Sequence, residues 1–157
     1  MVSDLASWGR TGLARGRLFK VLVMDDVFHG SAQYPAHEHG PVVTIGNFDG
    51  VHRGHRTLLG RTLELANATG RAACAFTFHP APRDVLRSNN PVIRIQRPED
   101  RIASLLAAGM DHVVLEPFDL EYAQKDAQWF AEEVLGRRLN ASAVVVGWDF
   151  RFGRGRS

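Results

Sequence analysis

The chain reads as a doubly wound α/β domain, on three observations. Short apolar runs rich in β-branched and aromatic residues recur, each bounded by turn residues. Helical patterns of about 10–15 residues separate them, the alternation that builds βαβ units around a parallel sheet. The length of 157 residues suits one domain with a single core.

Val42–Ile45, Ala73–Phe78 and Ala143–Val146 are expected to be buried strands. His112–Leu115 is a shorter strand behind Gly109, and Phe19–Met24 is a candidate first strand. Arg56–Ala68 places Leu58, Leu59, Leu63, Leu65 and Ala66 on one helical face and ends before Gly70. Pro98, Glu99 and Asp100 mark a helix start, because proline suits the first turn and acids suit its positive end. That helix turns Ile102, Leu105 and Leu106 inward and stops at Gly109. Asp126–Leu135 repeats the scheme with Trp129, Phe130 and Val134, and Gly136 is its expected stop. His29–Pro41 is expected to be a loop. Right-handed crossovers put helices on both faces, so the expectation is a Rossmann-like parallel sheet, incomplete at its C-terminus. Ligands of such sheets lie beyond the carboxyl ends of the strands, here after Ile45, Phe78, Leu115 and Val146.

Composition removes several classes. With 23% charged and 45% hydrophobic residues and a mean hydropathy of -0.17, the chain is neither disordered nor membrane-spanning. Its longest apolar runs, Ala72–Phe76 and Ala143–Val146, fall far short of the roughly 18 residues a spanning helix needs. Cys74 is the only cysteine, which excludes an internal disulfide and points to a reducing, cytoplasmic setting. Inside an apolar strand it is expected to be packing filler. The net charge of +2 is uneven. Residues 1–20 carry Arg10, Arg15, Arg17 and Lys20 against Asp4, and the last seven residues carry Arg151, Arg154 and Arg156. Residues 1–17 are read as a solvated basic extension and 18–157 as the folded domain, with no nucleic acid or membrane as partner.

Chemistry concentrates between Gly46 and His55. A core strand is followed by Gly46-Asn47-Phe48-Asp49-Gly50-Val51-His52-Arg53-Gly54-His55 and then a helix. Small residues let backbone approach a ligand, and a helix start offers free N–H groups and a positive dipole end. His52 and His55 lie three apart, so both imidazoles project to one side of a helical turn. Two donors and a helix end aimed at one point suit phosphoryl-type transfer by positioning and electrostatics, without a covalent intermediate. The run is not a P-loop, since no Gly-Lys-Ser/Thr follows, nor a dinucleotide fingerprint, whose glycines are spaced differently. His37-Glu38-His39 lacks the spacing of the zinc-protease motif. A zinc site among His29, His37, His39, His52 and His55, without cysteine and on loops, is disfavoured.

His52-Arg53-Gly54-His55 resembles the His-x-Gly-His signature of the nucleotidyltransferase superfamily, which transfers AMP or CMP from ATP or CTP. The longer run from Val43 to His55 resembles one branch, the adenylyltransferase module of bacterial riboflavin kinase/FMN adenylyltransferases. Val145-Val146-Gly147-Trp148-Asp149-Phe150-Arg151-Phe152-Gly153 and Phe78-His79-Pro80-Ala81-Pro82 are similar to two further blocks of that branch. Gly109-Met110-Asp111 and Glu116-Pro117-Phe118 fit its order and spacing. The likeness runs from Pro41 to Ser157, and departs from the pattern at Trp148, usually acidic, and Ala81, usually polar.

The resemblance implies that FMN and ATP give FAD and pyrophosphate, with Mg2+ carried on the substrate phosphates. His52 and His55 would hold phosphates, and Asn47 and Asp49 would contact phosphate or metal. Gly46, Asn47, Phe48, Asp49, Gly50 and Gly54 would approach the nucleotide. Pro80, Pro82, Arg83, Asp149, Phe150 and Phe152 would line the flavin side. From the residues alone, Phe150 and Phe152 suit either an isoalloxazine ring or the core. The family pattern continues past Ser157 with a segment that helps bind ATP and then a riboflavin kinase barrel. The expectation is therefore an adenylyltransferase module truncated at its C-terminus and without kinase activity, completed by a kinase domain or a second chain. Two other readings stay open: a His-x-Gly-His transferase acting on another phosphate acceptor, and a non-catalytic flavin- or nucleotide-binding remnant.

Overall fold

The computed structural model describes residues 26–86, 95–148, 150, 151 and 153. The candidate strand Phe19–Met24, the extension 1–17, and Asp149, Phe152, Arg154 and Arg156 lie outside the described residues. Five strands form one parallel sheet: β1 (Val27–Phe28), β2 (Val42–Ile45), β3 (Ala73–His79), β4 (His112–Pro117) and β5 (Ala143–Val145), in the order β1-β4-β3-β2-β5. The chain steps from β2 through helix α1 (Arg53–Thr69) to β3. It continues through α2 (Pro82–Leu86) and α3 (Pro98–Ala107) to β4. It then returns through α4 (Ala127–Trp129) and a π-helical stretch, Phe130–Arg138, to β5 on the other side of β2. The winding direction thus reverses between β2 and β5.

Alternation along the strands supplies two cores. Val43, Ile45, Cys74, Phe76 and Phe78 face Phe130, Val134 and Leu139 of the π-helical side. Val42, Ala73, Ala75 and Val113 face Leu59 and Ala66 of α1 and Leu105 and Leu106 of α3. Cys74 is fully buried among these side chains, and burial pushes its thiol pKa up, so it is unreactive filler. Among the described residues no helix is long and apolar enough to cross a membrane.

Among the described residues the expected elements appear, with four differences. First, α1 begins at Arg53, so His55 lies within its first turn, and it ends where Gly70 takes a left-handed φ of 65°. Second, Gly136 does not stop the last helix, which runs on to Arg138. Leu139 is 1% exposed, and burying it outweighs the roughly 1 kcal/mol that a helical glycine costs. Third, β5 is half-exposed rather than buried, because among the described residues it pairs with β2 alone. Fourth, the loop His29–Pro41 contains a 3-10 turn at Ser31–Gln33, and β1 stands just before it. Ser31 is buried and its Oγ donates to Glu116 Oε1 at 2.9 Å, while the Tyr34 hydroxyl meets His112 Nδ1 at 2.7 Å. The loop is therefore pinned across the sheet.

Candidate active site

Where the winding reverses, a cleft of about 860 Å³ opens at the carboxyl ends of β2, β3 and β5. It is lined by Gly46, Asn47, His52, Gly54 and His55 on one side of the sequence, and by Pro82, Arg83, Lys125, Phe150 and Arg151 on the other. Apolar rings of Phe78, Phe118 and Tyr122 complete it. No Asp or Glu lines it among the described residues, whereas Arg83, Lys125 and Arg151 do. Such a one-signed lining concentrates anions.

The two histidines stand together at the start of α1. Their ring centroids are 3.7 Å apart and the planes differ by 20°, so the imidazoles are stacked. Phe48 closes the other side of His55 edge-on at 5.2 Å. Gly54 makes this stacking possible: a Cβ there would lie 3.3 Å from Cε1 of His52 and 3.4 Å from its Nδ1. His52 occupies the cap position, yet no side chain caps α1 and no acid sits in its first turn. The first hydrogen bond back along the helix is Arg56 N–H to His52 O, 3.0 Å. The N–H groups of Arg53, Gly54 and His55 are therefore left for a ligand, together with the positive end of a 17-residue helix.

His55 is partly buried, and its Nδ1 is buried with no hydrogen-bond partner among the described residues. Burial, then the neighbouring His52, pushes its pKa below the ordinary 6.5, while Asp49 opposes them. The imidazole is thus neutral at pH 7 in the free protein. A lowered folded-state value means that His55 contributes stability above the unfolded value, and this stability is lost as pH falls through it. The ligand-free protein should melt at progressively lower temperature as pH falls below about 6.5. His55→Asn should flatten that slope, and an unchanged slope would show that burial of this ring does not govern it.

The other expected site residues separate by where their groups point. Asn47 is exposed on the cleft, but the Phe48 ring is 0% exposed and belongs to the α1-side core. Asp49 turns away from the cleft. Its Oδ1 accepts from the N–H of Gln96 at 2.9 Å, and its carboxylate accepts from that of Ile95 at 3.2 Å. Gly50 N–H donates to Gln96 Oε1 at 3.0 Å, so it too faces this second segment. Pro82, Arg83 and Phe150 line the cleft; Pro80 is exposed outside its lining, and Ala81 is buried at 3%. Asp149 and Phe152 lie outside the described residues.

Sequence reasoning missed Arg101. It is 4% exposed although it lies in the first turns of α3, where an arginine ordinarily reads as solvated. Nη1 donates to Asn47 O at 2.9 Å and Nη2 to Phe78 O at 3.1 Å. Thr77 Oγ1 also donates to Asn47 O, at 3.3 Å. One guanidinium therefore clamps the glycine-rich loop to the end of β3, setting the distance across the cleft floor. Arg101→Met keeps the stem and deletes both donors; Asn47 O keeps its bond from Thr77 Oγ1 while the buried tie to Phe78 O is lost, at a cost of about 1–3 kcal/mol. Melting of the variant alongside the wild type checks this; coincident curves would show that the clamp carries no stability.

Comparison with known proteins bears on this geometry. The family model described as FAD synthetase matches residues 34–157. The bifunctional riboflavin kinase/FMN adenylyltransferase of Escherichia coli K12 is 37% identical over 128 residues, covering 82% of this chain and 40% of that protein. The protein of the same description from Haemophilus influenzae is 35% identical over 117 residues, covering 74% of this chain and 38% of that one. This chain thus spans about two-fifths of the length of these curated relatives. A crystal structure titled macrolide-efflux protein from Streptococcus pneumoniae superposes with a TM-score of 0.70 at 25% identity, over 83% of this chain and 43% of that one. That similarity is one of fold.

Proposed function

Because the chain belongs to the FAD synthetase family, we propose that residues 18–157 transfer the adenylyl group of ATP to FMN, giving FAD and pyrophosphate. The observation that carries this reading is the stacked His52–His55 pair at the uncapped start of α1, on the wall of a cleft lined by cations. Relatives described as FMN adenylyltransferases support it.

The triphosphate lies against the α1 N-terminus, with His52 and His55 beside the α- and β-phosphates. A phosphate oxygen of FMN attacks the α-phosphorus and forms the new P–O bond. The bond from that phosphorus to the bridging oxygen breaks, and pyrophosphate leaves with the electron pair. Charge grows on the phosphoryl oxygens in the transition state, where the two imidazoles and the three backbone N–H groups at the α1 start would act as donors. Such preorganised donors are worth about 3 kcal/mol each in a water-poor site. The ring-lined side of the cleft, with Phe78, Tyr122 and Phe150, receives the isoalloxazine, and Arg83 and Arg151 of the same lining are candidate phosphate partners.

Magnesium fits as a companion of the triphosphate. Among the described residues no group of three His, Cys, Asp or Glu side chains is placed to hold a metal ion, and the Asp49 carboxylate accepts backbone N–H groups instead. Asn47, exposed on the cleft, is the residue we assign to the ion when it arrives on phosphate oxygens. It would neutralise charge on the leaving pyrophosphate. A cytoplasmic location, where both substrates and a reduced Cys74 are found, accords with this function, as does a kinase module in the same or another chain.

The test is direct. FMN, ATP and magnesium incubated with the protein should yield FAD and an equal amount of pyrophosphate. Tight binding of both substrates with no product would replace the reading by that of a nucleotide-binding remnant. Pyrophosphate release only with a different phosphate acceptor would replace FMN.

A further inference from the structure

Trp148 is the most exposed large hydrophobic residue described, at 99% relative exposure. It stands in the turn that follows β5, beside the point where the winding reverses, and it lines the cleft with Gly147 and Phe150. Indole is the largest apolar side chain, and an isolated one wholly in water makes no contribution to packing. It presents a flat, quadrupolar surface at the rim of a cleft whose described lining holds cations and no acid.

We propose that Trp148 is a stacking platform for a planar heteroaromatic ring of the substrates, and so a specificity-determining residue of this chain. The proposal rests on the adenylyltransferase reading, because that reading brings two such rings to the cleft, a purine and an isoalloxazine. The indole stacks on one of them while the phosphates sit at α1. The phosphate wall and the ring wall then act separately, one reading charge and the other reading flatness.

Calorimetry with three probes separates these roles: ATP, FMN, and inorganic tripolyphosphate, which has the charge of ATP but no ring. Trp148→Ala should weaken either ATP or FMN about tenfold or more, the magnitude of a lost ring stack. Trp148→Phe should restore most of that loss, and neither variant should change tripolyphosphate binding or the melting temperature. Loss confined to ATP identifies the purine as the stacked ring; loss confined to FMN identifies the isoalloxazine. Equal affinities for ATP and FMN in wild type and Trp148→Ala would overturn the platform while leaving the adenylyltransferase reading intact. Equal weakening of tripolyphosphate would overturn it as well, since the indole would then act on charge or on the fold. A wild-type protein that binds neither ATP nor FMN would sink the adenylyltransferase reading itself and leave the indole no ring to meet.

Discussion

His52→Ala should lower kcat for FAD formation by about 10²–10³-fold with little change in KM. The ring is exposed on the cleft, caps nothing through its side chain, and touches the protein through its stack on His55. On the proposed chemistry its removal deletes a donor from the transition state while leaving the fold intact, so the melting temperature should stay within about a degree, as for most surface changes. His55→Ala should cost as much or more, because that ring is also packed against Phe48. The double variant should lose less than the two losses multiplied, since two rings in contact act on one charge. Steady-state kinetics of the three variants decide the matter. A rate unchanged in His52→Ala would remove the imidazole pair from the chemistry.

Gly40→Ala should be severely destabilising. A Cβ at Gly40 would lie 1.5 Å from the carbonyl oxygen of Asn140 and 2.4 Å from its carbon. Both atoms are backbone, and both segments are tied. Ser142 N–H donates to Pro41 O at 2.9 Å, and Asn140 Nδ2 donates to His37 O at 3.0 Å. Leu139, one residue before the collision, is anchored in the core at 1% exposure. Relief requires β2 to part from the segment that leads into β5, so the loss should be on the order of 4 kcal/mol, at the upper end for overpacking. The melting temperature should fall by roughly 10 °C in a chain of this size. Gly60→Ala is the control. That glycine is inside α1 with nothing within 4 Å of a built Cβ, and the change should stabilise by about 0.5–1 kcal/mol. Similar melting curves for Gly40→Ala and wild type would mean that the two backbones are not so close.

Legibility followed the range of the interactions. The β2–α1 hinge is readable because an apolar run, small residues and two histidines at helical spacing are local signals, and the stacked imidazoles stand where that spacing puts them. Phe48 and Asp49 occupy the same run and are not distinguishable there from ligand-facing neighbours. What separates them is a positive φ of 50° at Phe48, which turns the ring inward, and a segment 46 residues away that claims the Asp49 carboxylate. Arg101 is invisible for the same reason, since its partners are 54 and 23 residues distant. Gly136 failed as a stop because the burial of Leu139 is decided by the opposite sheet face, not by the local chain. The π-helical winding itself has no sequence cue that we can identify.

The pairing of β5 on one side alone has a mechanical meaning. One jaw of the cleft, β2 with α1, is embedded in the interior; the other hangs from three residues that pair, among the described residues, with a single neighbour. Strain from a poorly fitting ring would be absorbed by the hanging jaw, which has few buried contacts to break. Under the proposed reading, a bulky flavin and a slim purine could then both be gripped without disturbing the grip on phosphorus, much as a bench vice keeps its fixed plate true while the sliding plate takes up the width of the work.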